Sequence, residues 1–178
     1  GKGLVSALVY GAEGIAMGTR FLMCADSPVP QATLARYLAV KDPAAIIISR
    51  AIDGMPQRMI RNELLNQLEN SGGLKRLLLA LQSGLAYRRH TGMSLTQLLG
   101  SALKMRGAGE LTAAQSIMAA NAPMVIQKAM VDGLPAAGVL PAGQIAASID
   151  SLPSCAQLIE QIVRDAEARL GELCRRVS

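Results

Sequence analysis

The spacing of hydrophobic positions changes along the chain. Residues 3–10 (GLVSALVY) are apolar on nearly every side and are followed by Gly11. That pattern predicts a buried helix closed by a C-cap glycine. Gly14 to Met17 is a short apolar run bounded by glycines, the pattern of a fully buried parallel strand. Asp26-Ser27-Pro28-Val29-Pro30 reads as a turn and a helix start. The helical spacing of 31–40 ends at Lys41-Asp42-Pro43, because proline disfavours helical geometry in the residue before it. Ile46-Ile47-Ile48 is β-branched and predicts a short strand, and Asp53-Gly54-Met55-Pro56 predicts a turn. From there the pattern predicts helices over 57–69, 74–88, 94–105, 111–119, 123–130, 141–149 and 153–176, most of them separated by glycines. In the last, Pro153 suits the first turn. Leu158, Ile159, Ile162, Val163, Ala166, Leu170 and Leu173 share one face. At 1.5 Å per residue that helix spans roughly 36 Å.

A thin α/β beginning is thus joined to a long helical remainder. A buried strand needs neighbours on both edges, so partners for 14–17 are expected before Gly1 or on another chain. The chain is 51% hydrophobic and 17% charged, which excludes disorder. One Phe and no Trp favour helices packed through aliphatic side chains. The net charge of +5 is scattered or sits in short pairs such as Lys75-Arg76, Arg88-Arg89 and Arg175-Arg176. Without a basic stripe interleaved with aromatics, nucleic-acid binding has no support. There is neither an unbroken apolar run of about 20 residues nor signal-peptide architecture. Cys24, Cys155 and Cys174 are odd in number and far apart, with no CxxC. A disulfide framework or a zinc site is not expected, and a reducing, cytoplasmic setting is.

Little in the chain reads as catalysis. His90, the single histidine, sits in Tyr87-Arg88-Arg89-His90-Thr91-Gly92, a helix C-terminus where basic groups complement the dipole. Glu13 and Asp26 have no partner carboxylate at useful spacing, and no Ser/His/Asp or metal constellation is readable. The nine methionines are scattered as core fillers. Gly138 reads as a turn glycine, and Gln144 as the opening of the helix 141–149.

The stretch GKGLVSALVYGAEGIAMGTRF resembles the last βα step of the nitronate monooxygenase (2-nitropropane dioxygenase) family, through Gly1, Gly3, Leu4, Ala7, Leu8, Gly11, Ala12, Gly14, Met17, Gly18, Thr19, Arg20 and Phe21. Arg50-Ala51 with Gly54, Pro56, Arg58 and Asn62 is similar to a second family segment. Gly138-Val139, Ala142-Gly143-Gln144 and Leu152-Pro153-Ser154-Cys155 are similar to a third. The resemblance implies an α/β fold, the C-terminal fragment of a TIM (β/α)8 barrel with an appended, mainly helical domain. Residues 1–40 would be the last βα steps of the FMN-binding barrel and 41–178 the appended domain. FMN is implied as cofactor, contacted by Ala16, Met17, Gly18 and Thr19. Gly18 lets its backbone N–H come close to a phosphate, Thr19 offers an N–H and a hydroxyl, and Arg20 offers charge. The family often has Gln where this chain has Ala16, so a contact there would run through the backbone.

The implied activity is oxidation of a small substrate, an alkyl nitronate, with O2. No catalytic residue is assigned, since the family's histidine lies in the barrel half before this chain begins, and the chain alone would be inactive. Close relatives instead reduce the flavin with NAD(P)H, for quinone or enoyl-acyl-carrier-protein reduction. A non-enzymatic helical interaction module is the reading from another class. A homodimer is compatible with either.

Overall fold

The computed structural model describes residues 1–70 and 113–177. The helices expected over 74–88 and 94–105, and His90, lie outside them. Within them the chain is mixed α/β: α1 (Lys2–Val9), α2 (Thr19–Leu22), α3 (Gln31–Leu38), β1 (Ile46–Ser49), β2 (Gln57–Ile60), α4 (Glu63–Asn70), α5 (Ala113–Met130) and α6 (Cys155–Val177). Two compact units result, one from Gly1–Pro28 with Ile149–Ser178, the other from Val29–Ser148.

In the first unit α1 packs on α6, burying Val5 beneath the first helix and Leu158 and Ala166 on the second. The α1 terminus is as expected. Gly11 has φ +87°, its N–H donates to Leu8 O, and Ala12 N–H donates to Ala7 O, both at 3.0 Å. This is a Schellman close, which only a residue free of Cβ strain adopts readily. Gly1 lies so close to α6 that a Cβ there would sit 2.4 Å from Asp165 Cβ.

α6 begins at Cys155, two residues later than the 153 expected. Ser154 Oγ accepts from Gln157 N–H at 3.2 Å, and Gln157 Oε1 accepts from Ser154 N–H at 2.9 Å. This reciprocal capping box fixes Ser154 as N-cap and puts Pro153 just outside the helix. The apolar face expected of α6 is only partly covered: Leu158 and Ala166 are buried, while Ile159, Val163, Leu170 and Leu173 are exposed.

The strand expected at residues 14–17 is not formed. These residues run as irregular backbone between α1 and α2. A short apolar run becomes a strand only when a second segment completes its hydrogen-bond ladder, and among the described residues the sheet is built from β1 and β2 alone.

In the second unit β1 and β2 form an antiparallel hairpin in which Ile46 faces Ile60 and Ser49 faces Gln57. β1 matches the β-branched run. β2 replaces the start of the helix expected over 57–69, which begins instead at Glu63. The turn between the strands explains the difference. Gly54 takes φ +82°, Asp53 Oδ1 accepts from Met55 N–H at 3.0 Å, and the chain reverses back along β1. Leu140 O then accepts from Ile60 N–H at 2.9 Å, and Arg58 O from Ala142 N–H at 3.1 Å, so β2 is flanked on its other edge too.

The core of this unit gathers Ile52, Met59, Leu65, Leu68, Val125 and Val139. α3 presents buried Thr33, Leu34 and Tyr37. The separate helices expected over 111–119 and 123–130 are one helix, α5, with Pro123 inside it. The helix expected over 141–149 is a 3₁₀ segment, Gln144–Ser148, opened by Gln144 as anticipated. No helix among the described residues is long and apolar enough to cross a membrane.

Candidate functional site

The segment from Ala12 to Gly18 leaves the Schellman close of α1 as a loop, and Gly18 is the N-cap of α2. Leu22 N–H donates to Gly18 O and Met23 N–H to Thr19 O, each at 3.0 Å, which makes 18–23 a firm single turn. Gly18 supplies no side-chain cap to that turn. The space that a Cβ would enter at Gly18, and at Gly14, is open for 4 Å. Ala16 and Gly18 are exposed, and Met17 and Thr19 are half-buried. All four expected contact residues are therefore brought together in one accessible bend, and a group that uses the backbone of Gly18 meets no side chain there. The donor set, backbone amides with the Thr19 hydroxyl, fits an anion such as a phosphate.

Arg20 plays a different part from the one expected. Its Nη2 donates to Met23 O and to Ser151 O, each at 3.0 Å, and its Nε is buried without a partner. The guanidinium therefore clamps two backbone segments of its own unit. Beside it, Ala25 N–H donates to Pro153 O at 2.9 Å, and Asp26 Oδ2 accepts from Cys155 N–H at 2.7 Å. The bend is supported from behind by a crossing of 20–26 over 151–155.

In the other unit a cleft of about 550 Å³ is lined by Arg36, Ala45, Arg61, Asn62, Glu63, Asn66, Pro135 and Ala136. Its charges are mixed, and Arg36 Nη2 already donates to Arg61 O at 3.4 Å. Asn62 there is structural: Nδ2 donates to Pro135 O at 2.8 Å and to Gly138 O at 2.7 Å, while Oδ1 caps α4 by accepting from Leu65 N–H at 2.9 Å. Among the described residues no group of three or more His, Cys, Asp or Glu could hold a metal ion.

The family model described as nitronate monooxygenase matches residues 1–165. The chain belongs to the nitronate monooxygenase family. It is 45% identical over 170 residues to a Mycobacterium tuberculosis protein named (3aS,4S,5R,7aS)-5-hydroxy-7a-methyl-1-oxo-octahydro-1H-indene-4-carboxyl-CoA dehydrogenase, covering 96% of this chain and 48% of that protein. The Rhodococcus jostii protein of the same name is 42% identical over 173 residues, covering 97% and 49%. A Staphylococcus saprophyticus protein named probable nitronate monooxygenase is 34% identical over 68 residues, covering 38% and 19%. This member of the family thus spans about half the length of the curated relatives it matches. Among solved structures, FabK from Thermotoga maritima matches with a TM-score of 0.58 and 21% identity, covering 97% of this chain and 43% of that one. At that identity the likeness concerns the fold.

Proposed function

We propose that this chain is part of an FMN-dependent oxidoreductase whose substrate is a coenzyme A thioester. The observation that carries the reading is the identity of 45% and 42%, sustained across 96% and 97% of the chain, to two carboxyl-CoA dehydrogenases. In this proposal residues 1–40 are the last βα steps of a (β/α)8 barrel, and 41–178 are mainly a helical domain appended to it. Bound FMN would supply a two-electron acceptor for substrate oxidation. The phosphate would be held by the backbone of Ala16, Met17 and Gly18 and by the Thr19 N–H and hydroxyl. Gly18 admits the close approach, and Arg20 holds the bend in place from behind. Free Cys24 and Cys155 suit a reducing cytoplasm.

Alkyl nitronate oxidation with O2 is the second reading. It is favoured by the family's description and by the Staphylococcus saprophyticus relative.

The test is reconstitution of the full-length protein with FMN, followed by anaerobic mixing with a polycyclic acyl-CoA or with an alkyl nitronate. Bleaching of the flavin by the acyl-CoA alone is the expected result, and bleaching by the nitronate alone would select the second reading. Gly18→Val or Thr19→Ala is expected to weaken FMN binding by roughly 10- to 100-fold, the cost of a lost hydrogen bond to a charged group. Equal FMN affinity in both variants would remove the phosphate role from this bend.

A further inference from the structure

We propose that Cys24 and Cys155 form a redox-active dithiol that closes to an intramolecular disulfide when the protein meets hydrogen peroxide. The inference does not depend on the flavin reading. It is carried by the backbone crossing behind the bend. Ala25 N–H donates to Pro153 O at 2.9 Å, Asp26 Oδ2 accepts from Cys155 N–H at 2.7 Å, and Arg20 Nη2 bridges Met23 O and Ser151 O at 3.0 Å each. These bonds hold the residues flanking Cys24 against those flanking Cys155.

The two thiols, far apart in sequence, are neighbours in the structure, and both are free. A disulfide requires Cα atoms about 4–7 Å apart, and the crossing brings the backbone around Cys24 within hydrogen-bond reach of the backbone around Cys155.

The pair is also asymmetric. Cys24 is buried, and its Sγ donates to Arg20 O at 3.4 Å. Cys155 is half-buried, at the first residue of α6. Burial, the Cys24 thiol and the Asp26 carboxylate push the Cys155 thiol above its ordinary value.

Peroxide reaches the accessible member first. Cys155 Sγ attacks one peroxide oxygen, the O–O bond breaks, and a sulfenic acid and one water form. Cys24 Sγ then attacks that sulfur, the S–O bond breaks, and hydroxide leaves as the second water with the Cys24 proton. Two thiols lose two electrons in total, and one peroxide becomes two waters. The bond joins the segment just after the Gly18-Thr19 bend to the start of α6, and a dithiol reductant reverses it.

The experiment is peptide mapping of the full-length protein. It is exposed to hydrogen peroxide in the native state, its remaining thiols are alkylated, and it is digested without reductant and read by mass spectrometry. The expected product is one peptide pair joined through Cys24 and Cys155, lighter by two hydrogens than the reduced pair and separated by dithiothreitol. Cys174→Ser should leave that product in place, and Cys155→Ala should abolish it. Sulfinic or sulfonic acid at Cys155 with Cys24 still alkylatable would overturn the proposal. So would a cross-link found only through Cys174. The decisive reading is made on the unsubstituted protein, so it does not rest on either variant folding.

Discussion

Asn62 satisfies three backbone groups at once: the Leu65 N–H and the carbonyls of Pro135 and Gly138. Replacing it with Ala removes a helix cap and leaves two carbonyls without their donor. We expect a loss of about 2–3 kcal/mol in urea denaturation, with Asn62→Asp intermediate because it keeps the cap oxygen. Tyr37 is comparable. Its hydroxyl donates to Pro141 O at 2.7 Å, and burial pushes its phenol well above the ordinary tyrosine value. Tyr37→Phe should cost about 1–2 kcal/mol near neutral pH. The sign of the pH effect follows. Above about pH 10 an unfolded tyrosine loses its proton while the folded one keeps it, so stability falls as pH rises from there. The Phe variant should show a shallower decline in alkaline denaturation curves. Neither role was legible in the sequence. Asn62 stood out only as part of a family segment, and Tyr37 only as a residue on a helix. The carbonyls that accept from these two side chains lie seventy or more residues away and leave no local periodicity.

Elements were legible where their cause is local. The β-branched run gave β1, the spacing of 31–40 gave α3, and Gly11 closed α1 as a C-cap glycine should. β2 was read as helix because Gln57 to Ile60 has no alternation to mark a strand. Its strand state comes from pairing on two edges, with β1 and with the stretch around Pro141. The opposite error occurred at 14–17, where an apolar run had the pattern of a strand but no partner among the described residues. Gly138 was read correctly as a turn residue, but the structure adds a stricter reason for it. A Cβ there would lie 2.5 Å from both Val125 O and Ala129 N in the α5 backbone. Those atoms cannot swing aside as a side-chain tip can. Gly138→Ala should therefore cost about 1–3 kcal/mol, read as a lowered Tm. An unchanged Tm would mean that α5 and the 135–139 turn are not held at this spacing.

At the scale of the molecule, the family was legible from the first twenty-one residues, whereas the substrate was not. Ala16, Met17, Gly18 and Thr19 were singled out by the family resemblance, and the structure shows them as one accessible bend. Arg20 was misjudged because its carbonyl partner at Ser151 lies at the far end of the chain. The same distance hid Cys24 from Cys155. A further expectation belongs at this scale. Gly1→Ala in the full-length protein would bring a methyl group to 2.4 Å from Asp165 Cβ and 2.8 Å from Ala166 N. It should loosen α1 from α6, seen as faster amide exchange at Val5, whose N–H donates to Gly1 O at 3.1 Å.

The division into Val29–Ser148 on one side and Gly1–Pro28 with Ile149–Ser178 on the other also orders events at the ribosome. The second unit is continuous in sequence, so all its contacts become available once residue 148 has left the ribosomal exit tunnel. The first unit cannot assemble until α6 has been translated, because α1 has its packing partner there. During that interval Val5 waits uncovered on the nascent chain. Domains tend to fold as units during synthesis, and exposed apolar surface at that stage favours aggregation. A stall that leaves residue 148 outside the ribosomal exit tunnel but α6 still within it should therefore leave the segment around Val5 more open to protease than it is in the released chain, where α6 packs on it.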